Sequence, residues 1–475
     1  MISIATPATR VHQFSRIKRH SHRVKRASLP AVMTPISPGR LTICSVQLLL
    51  PFLVLLLRVL EMASSLFVVQ KMASARSRWC YIPTQMTSEF DKIISRTGTS
   101  SLKYEMRQST FGREDVLPLW VADMDFAVPA AVQRALSERS AHPIYGYTVY
   151  PESLYDSLIR WLDTRHAWTV KHEWIVFCPG VIPSLHASIM ALCPPDAGVI
   201  VQVPVYPPFL SAPEKTGRKL FLNPLKLEDG RYHFDLADFE RCAAAGARLL
   251  ILCSPHNPVG RVWQKQELQA LLEICQRFGI TVVSDEIHAD LTYPGKRHIP
   301  LARLAQDKVK VITAVAPSKT FNIPGLGLSA LIVPDKTDRA AISQAIDSLH
   351  VNAANPFSIV AFEAAYREGA KWLDDLLDYL AGTRDFVQEF IHQHLPRIKL
   401  IETEGTYLLW LDCRAMDLND EQLKQFFVQE AGVGLSAGVL FGEQGSGFMR
   451  MNIGAPRSVI AQALENIARA ERGSQ

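Results

Sequence analysis

Residues 249–290 read LLILCSPHNPVGRVWQKQELQALLEICQRFGITVVSDEIHAD. Two apolar runs, Leu249–Cys253 and Ile280–Ser284, bracket Gln266–Phe278, where Leu268, Leu271, Leu272, Cys275 and Phe278 recur at helical spacing and Gly279 stands at the stop. Neither run alternates with polar residues, so each is expected to be a strand buried on both faces; strand, helix and strand then make one βαβ unit. The texture continues outward. Further strands are predicted at Val199–Val203, Val309–Ala314 and Leu328–Val333, which implies an α/β domain with a mostly parallel sheet. From about Ser358 to His394 the pattern is long and helical; short strands (Lys399–Glu402, Tyr407–Leu411, Phe448–Ile453) then alternate with helices (Glu421–Gln429, Ser458–Glu471). We therefore expect a large domain over 135–370 and a smaller α+β domain built from 371–475 with an N-terminal arm, 86–134. No internal repeat is visible.

Length and composition agree with this reading. The 475 residues are 48% apolar and 20% charged, a globular composition with mass enough for two domains. Eight cysteines are scattered without a CxxC pair or a histidine cluster at ligand spacing, so neither a metal site nor a disulfide framework is expected. The net charge of +5 is misleading: residues 1–85 hold twelve Lys and Arg against the single acid Glu61, whereas the remaining 390 hold 39 against 45 acids. The body is mildly acidic and has no electrostatic footprint for nucleic acid. In the first 85 residues the apolar run Leu48–Leu57 is too short to span a bilayer. That leader is expected to be disordered or to lie upstream of the true start at Met86, with an address signal as the alternative. No membrane contact is expected for 86–475, and the location is expected to be cytoplasmic.

Chemistry concentrates where strands end, the place at which open α/β sheets bind ligands. Three such ends are polar: Cys253-Ser-Pro-His-Asn257-Pro-Val-Gly-Arg261, Ser284-Asp285-Glu-Ile-His288 and Ala316-Pro-Ser318-Lys319-Thr-Phe-Asn322. An acid, a lysine and a hydroxyl on adjacent strand ends suit pyridoxal phosphate. The lysine amine takes the aldehyde, the carboxylate keeps the ring nitrogen protonated, and a helix start with a hydroxyl takes the phosphate. Pro179-Gly180-Val181-Ile182-Pro183-Ser184 supplies that helix start, after the run Trp174–Phe177. Singly each residue has an ordinary reading, as a cap, a turn or a packed ring.

Several stretches carry a resemblance: Arg96-Thr-Gly-Thr-Ser-Ser-Leu-Lys103, Leu119-Trp-Val-Ala-Asp-Met-Asp-Phe126, Tyr145-Gly-Tyr-Thr148, Pro204-Val-Tyr-Pro-Pro-Phe209, the three strand ends above, and Arg450-Met-Asn-Ile-Gly-Ala-Pro-Arg457. In these the chain resembles fold-type I pyridoxal-phosphate enzymes of the aminotransferase class I/II group, specifically the MalY/PatB branch of carbon–sulfur lyases, from Phe90 to Arg457. The resemblance implies an aspartate aminotransferase-like fold and β-elimination on L-cystathionine or L-cysteine, giving thiol, pyruvate and ammonia. An aminotransferase, or a lyase with an added regulatory protein-binding role, is the alternative. It also implies roles. Lys319 bonds the cofactor and later moves the α-proton, Asp285 pairs with the ring nitrogen, Asn257 bonds the ring O3′, and Tyr206 stacks on the ring. His288 stands where aminotransferases usually carry a tyrosine near O3′. Ser318, the amides of Val181 and Ile182, and Tyr147 from a neighbouring subunit hold the phosphate. Arg450 clamps the substrate carboxylate in two-pronged fashion. A homodimer with shared sites follows. Two positions depart from the pattern: Lys103-Tyr104-Glu105 replaces the usual Lys-Trp-Asp, with an expected effect on the pocket mouth, and Gly327 replaces a phosphate-binding arginine. Trp120, Met124, Trp161, Trp168 and Trp174 are expected in the core or pocket wall, and His142, His186 and His256 as ordinary polar residues.

Overall fold

A computed structural model describes residues 88–351 and 354–473. The leader, its Cys44 and Cys80, and the expected start at Met86 lie outside the described residues. The buried apolar runs assemble into one seven-stranded sheet: β1 (Ile175–Cys178), β2 (Gly198–Val203), β3 (Lys219–Pro224), β4 (Ala247–Cys253), β5 (Thr281–Asp285), β6 (Val311–Val315) and β7 (Ser329–Ile332). Their order is β1-β7-β6-β5-β4-β2-β3. All neighbours run parallel except β7, which is antiparallel to both β6 and β1. Strands β2, β6 and β7 are buried along their whole length, as uninterrupted apolar runs demand.

Helices cover the sheet. Those used below are α1 (Ala130–Ala141), α2 (Glu152–His166), α3 (Val181–Leu192), α4 (Pro207–Lys215), α5 (Lys265–Phe278), α6 (Pro317–Thr320), α7 (Pro356–Glu368), α8 (Ala370–His394) and α9 (Arg457–Gly473). Helix α5 is the one predicted between β4 and β5. The Glu267 carboxylate accepts the Gln264 N–H (2.8 Å) at its start, Leu268, Leu271, Leu272 and Cys275 face the core, and Gly279 ends it at φ +63°. The long helical stretch after 358 is two helices, not one. They break at Gly369, where a Cβ would lie 2.4 Å from both the Ala365 carbonyl and the Phe321 ring.

A second sheet, antiparallel throughout, is ordered β8 (Lys399–Leu400), β9 (Leu408–Asp412), β11 (Phe448–Asn452), β10 (Ser436–Ala437). The helix expected over Glu421–Gln429 is α-helical only for Asp420–Gln425 and widens into a π turn, Phe426–Glu430. One apolar cluster runs from α2, β1 and β7 through α7 and α8 into β9 and β11, so both sheets share a core. Each large aliphatic or aromatic side chain buried there contributes about 1.5–3 kcal/mol. Six cysteines, 178, 193, 242, 253, 275 and 413, are all buried and unpaired. Among the described residues no helix is long and apolar enough to cross a membrane.

Candidate active site

The parallel strands β4, β5 and β6 deliver their carboxyl ends to one cavity of about 260 Å³. Eight of the ten sequence-predicted residues line it: Val181, Ile182, Tyr206, Asn257, Asp285, His288, Ser318 and Lys319. A larger open cavity of about 560 Å³, walled by Arg113, Gln462 and Arg469 among others, contains no lysine, histidine or cysteine and no candidate residue.

Lys319 sits in the short helix α6, and its Nζ donates to the Ala122 carbonyl (2.7 Å). Burial and the nearby charge of Arg450 push its amine down to about 8, against the opposing pull of Asp123 and Asp285. Asp285, the last residue of β5, has the opposite shift. Burial raises its carboxyl to about 7, although Ile287 N–H donates to Oδ1 (3.1 Å) and Lys319 favours the charged form. Wholly buried His288 is pushed down to about 3, first by burial and then by the charges of Lys319 and Arg450; it is therefore neutral, and its Nδ1 has no partner. Tyr206 caps α4, edge-on to Phe209 with ring centroids 6.4 Å apart. Burial raises its hydroxyl.

Arg450 stands mid-strand in β11, opposite Trp410 on one side and Ser436 on the other. It is outside the cavity lining and joins it through Asn257, whose Oδ1 accepts from Nη1 (3.0 Å). That bond leaves the Asn257 amide N–H groups free to donate inward. Nη2 donates to the Trp120 carbonyl (2.7 Å) and the Ser436 hydroxyl (3.3 Å), while Nε has no partner. The guanidinium is thus oriented by protein with donors in reserve. Tyr147 is fully exposed and lies with none of the other nine residues within the chain.

Pyridoxal phosphate fits what is present. Helix α3 begins at Gly180, φ +145°, with no side chain capping its first turn, so the Val181 and Ile182 amides open on the cavity beside the Ser318 hydroxyl. No arginine lines the cavity, and Gly327 occupies a left-handed turn (φ +49°) where a Cβ would come within 3.3 Å of the Pro179 carbonyl. A cationic ring N–H set against Asp285 would restore its carboxylate form, and the neutral His288 and Asn257 amide can donate without adding charge.

The sequence reading missed a strap across this site. Residues 119–126 are held at nearly every polar atom: Ala122 O also accepts the Tyr407 hydroxyl (3.0 Å), Asn452 Nδ2 donates to Val121 O and Asp123 O (2.6 Å each), and Asn322 brackets Met124 and Phe126. Trp120, read as a wall, packs edge-on against Phe111 and holds Arg450 through its carbonyl. Lys103, Tyr104 and Glu105 do not line the cavity within the chain. Lys103 is fully buried under the strap, and Tyr104 lies between Arg96 and Arg107. The motif containing these residues was visible, but contacts spanning about 200 residues of sequence were not. His256 is buried with Nε2 on the Pro204 carbonyl (2.9 Å), a structural place in keeping with its reading.

Comparison with known proteins adds three findings. Residues 114–467 match the family described as aminotransferase class I and II. The chain is 42% identical over 380 residues to the cystathionine β-lyase PatB of Bacillus subtilis, covering 80% of this chain and 98% of that one. Among solved structures it superposes on cystalysin from Treponema denticola, which contains pyridoxal 5′-phosphate (TM-score 0.79, 34% identity, 82% and 100% of the two chains). It also superposes on the pyridoxal-phosphate-bound C–S lyase from Staphylococcus hominis (TM-score 0.75, 32% identity, 81% and 98%).

Proposed function

The chain belongs to the aminotransferase class I and II family, and from that premise we propose that it is a pyridoxal-phosphate-dependent carbon–sulfur lyase. Its substrate is L-cystathionine or L-cysteine, and its products are a thiol, pyruvate and ammonia. One observation carries the reading: a buried lysine amine held near neutrality shares a cavity with Asp285, His288 and Asn257, in a chain so similar to a cystathionine β-lyase.

When bound, the cofactor supplies an electron sink that acidifies the substrate α C–H bond. The chain's own residues do the rest. Asp285 holds a proton on the ring nitrogen, the Val181 and Ile182 amides with Ser318 hold the phosphate, and Arg450 orients the α-carboxylate with its unused donors. Lys319 Nζ, an amine that burial lowers from its ordinary range, takes the α-proton. The Cβ–S bond then breaks with its electron pair going to sulfur, and water converts the three-carbon remainder to pyruvate and ammonia.

We further place the protein in the cytoplasm as a homodimer, with Tyr147 of each copy completing the other's phosphate site. Exposed Ile144, Tyr145, Tyr147 and Val149 form an apolar run suited to burial against a second copy. The deciding assay is incubation with L-cystathionine and no keto acid. Equimolar pyruvate and thiol are expected; amino transfer appearing only with an added keto acid would make the chain an aminotransferase.

A further inference from the structure

We propose that Lys103 is a positioning residue that fixes the spacing between Lys319 and Arg450 by gripping the strap 119–126 at both ends. The inference rests on the reading above, in which Lys319 moves the α-proton and Arg450 holds the carboxylate. One short run of backbone touches both groups: Trp120 O accepts from Arg450 Nη2 (2.7 Å), and two residues on Ala122 O accepts from Lys319 Nζ (2.7 Å). Lys103 holds the run on either side. Its own carbonyl accepts the Trp120 indole N–H (3.0 Å), and its ammonium donates to Asp125 Oδ2 (2.7 Å) and Asp123 O (3.4 Å).

The strength of the grip follows from burial. The Lys103 side chain has 0% exposure and Asp125 6%, so neither charge has a solvated alternative, and removing either leaves its partner buried with fewer counter-charges. Arg96 locks the outer side, pairing with Asp123 Oδ2 and Asp125 Oδ1 at 2.8 Å each. A cluster whose only task was to fasten the N-terminal arm could lie anywhere along the arm. This one flanks the two residues, Trp120 and Ala122, whose carbonyls meet the guanidinium and the amine.

Charge and position are separable here. The charges that act most strongly on Lys319 are Arg450, Asp123 and Asp285, with neutral His288 and Tyr407 beside them and the Lys103–Asp125 pair one step further out. Through charge alone, Lys103→Met would raise the Lys319 midpoint and Asp125→Asn would lower it. Through loss of position, both lower it, because both loosen the Ala122 carbonyl that favours the ammonium form.

The test uses the full-length holoenzyme and two readouts, amide hydrogen exchange by mass spectrometry and the acid limb of the kcat–pH profile with L-cystathionine. In both variants the amides of Met124 and Asp125, bonded to Asn322 Oδ1 (2.9 Å) and Gly454 O (2.7 Å), should exchange about tenfold faster or more. Those of Leu250 and Ile251 in β4 should keep wild-type rates, and the kcat midpoint should fall in both. Midpoints that move in opposite directions, or strap amides that keep wild-type exchange, overturn the proposal. If either charge-removing variant also loses protection in β4, Trp120→Phe decides. It changes no charge and removes the indole donor together with part of the ring that packs on Phe111, and it must loosen the strap alone and lower the midpoint; unchanged exchange there overturns the proposal too. Exchange is read without turnover, so a wild-type chain lacking lyase activity would refute the functional reading and leave the strap measurement intact.

Discussion

Asp285 and Lys319 lie in one cavity with pKa values pushed toward each other, the carboxyl up to about 7 and the amine down to about 8, both mainly by burial. For Asp285 the folded chain without cofactor binds the proton more tightly than the unfolded chain does. Folding stability therefore falls as pH rises from about 4 through 7. Asp285→Asn removes that conflict, and the cofactor-free variant should be more stable than the parent at pH 8 by roughly 2–4 kcal/mol, with the difference closing below about pH 4. Urea unfolding at the two pH values checks this; equal stabilities at pH 8 would mean the carboxylate is not a buried charge. In the holoenzyme the same substitution should abolish turnover. Lys319 gives the matching kinetic expectation. Only the neutral amine takes a proton, so kcat for L-cystathionine should rise about tenfold per pH unit on the acid side and level off above the amine's midpoint, which burial lowers from its ordinary range. Lys319→Ala should keep the cofactor noncovalently and lose turnover, and borohydride should leave a covalent cofactor mass on the Lys319 peptide of the parent alone.

Asn257 is carried by a loop whose firmness comes from another element. Between β8 and β9 the buried Glu404 accepts from Arg261 Nε (2.7 Å), Val262 N (2.9 Å), Arg231 Nη2 (2.8 Å) and Lys296 Nζ (2.6 Å). Burial would raise this carboxyl, but its hydrogen bonds and cations hold it down at about 2. Its stabilisation is thus complete above about pH 4.5 and is lost as pH falls toward 2. Glu404→Gln should lose about 3–5 kcal/mol at neutral pH, since it removes the buried carboxylate charge that Arg261, Arg231 and Lys296 share and leaves Arg261 only Glu267 as counter-ion; a thermal midpoint within a degree of the parent would contradict this. Elements of this kind also mark where sequence reading stops. All five predicted strands of the main sheet are present to within two residues, because runs such as Leu249–Cys253 leave no polar face to be misread. Edge strand β3, with exposed Lys219 and Leu222, has no such signature, and helices α1 and α2 were not foreseen. The break between α7 and α8 depends on the Phe321 ring approaching Gly369 from a distant segment, information that helical periodicity does not hold. The cavity residues were legible because they end strands; Ala122, Tyr407 and Lys103 were not, because long-range contacts alone give them their places.

At the scale of the whole molecule, the fully exposed Tyr147 and the proposed pairing of copies give a complementation test. Tyr147→Phe chains should be impaired and Lys319→Ala chains inactive. After subunit exchange each mixed dimer should contain one intact site, restoring about a quarter of wild-type activity for random pairing; no recovery after proven exchange would rule out a shared site. The six buried cysteines have a different consequence. A lyase of this kind bathes itself in its own reductant, since every turnover liberates a thiol or sulfide able to attack disulfides. Among the described residues this body offers that nucleophile nothing to attack: no cystine fastens it, and every cysteine sulfur is sealed in the interior, with burial holding each thiol above its ordinary range. The body is held together by apolar packing and ion clusters, bonds to which its product is chemically blind, and so its integrity should be indifferent to how much product accumulates.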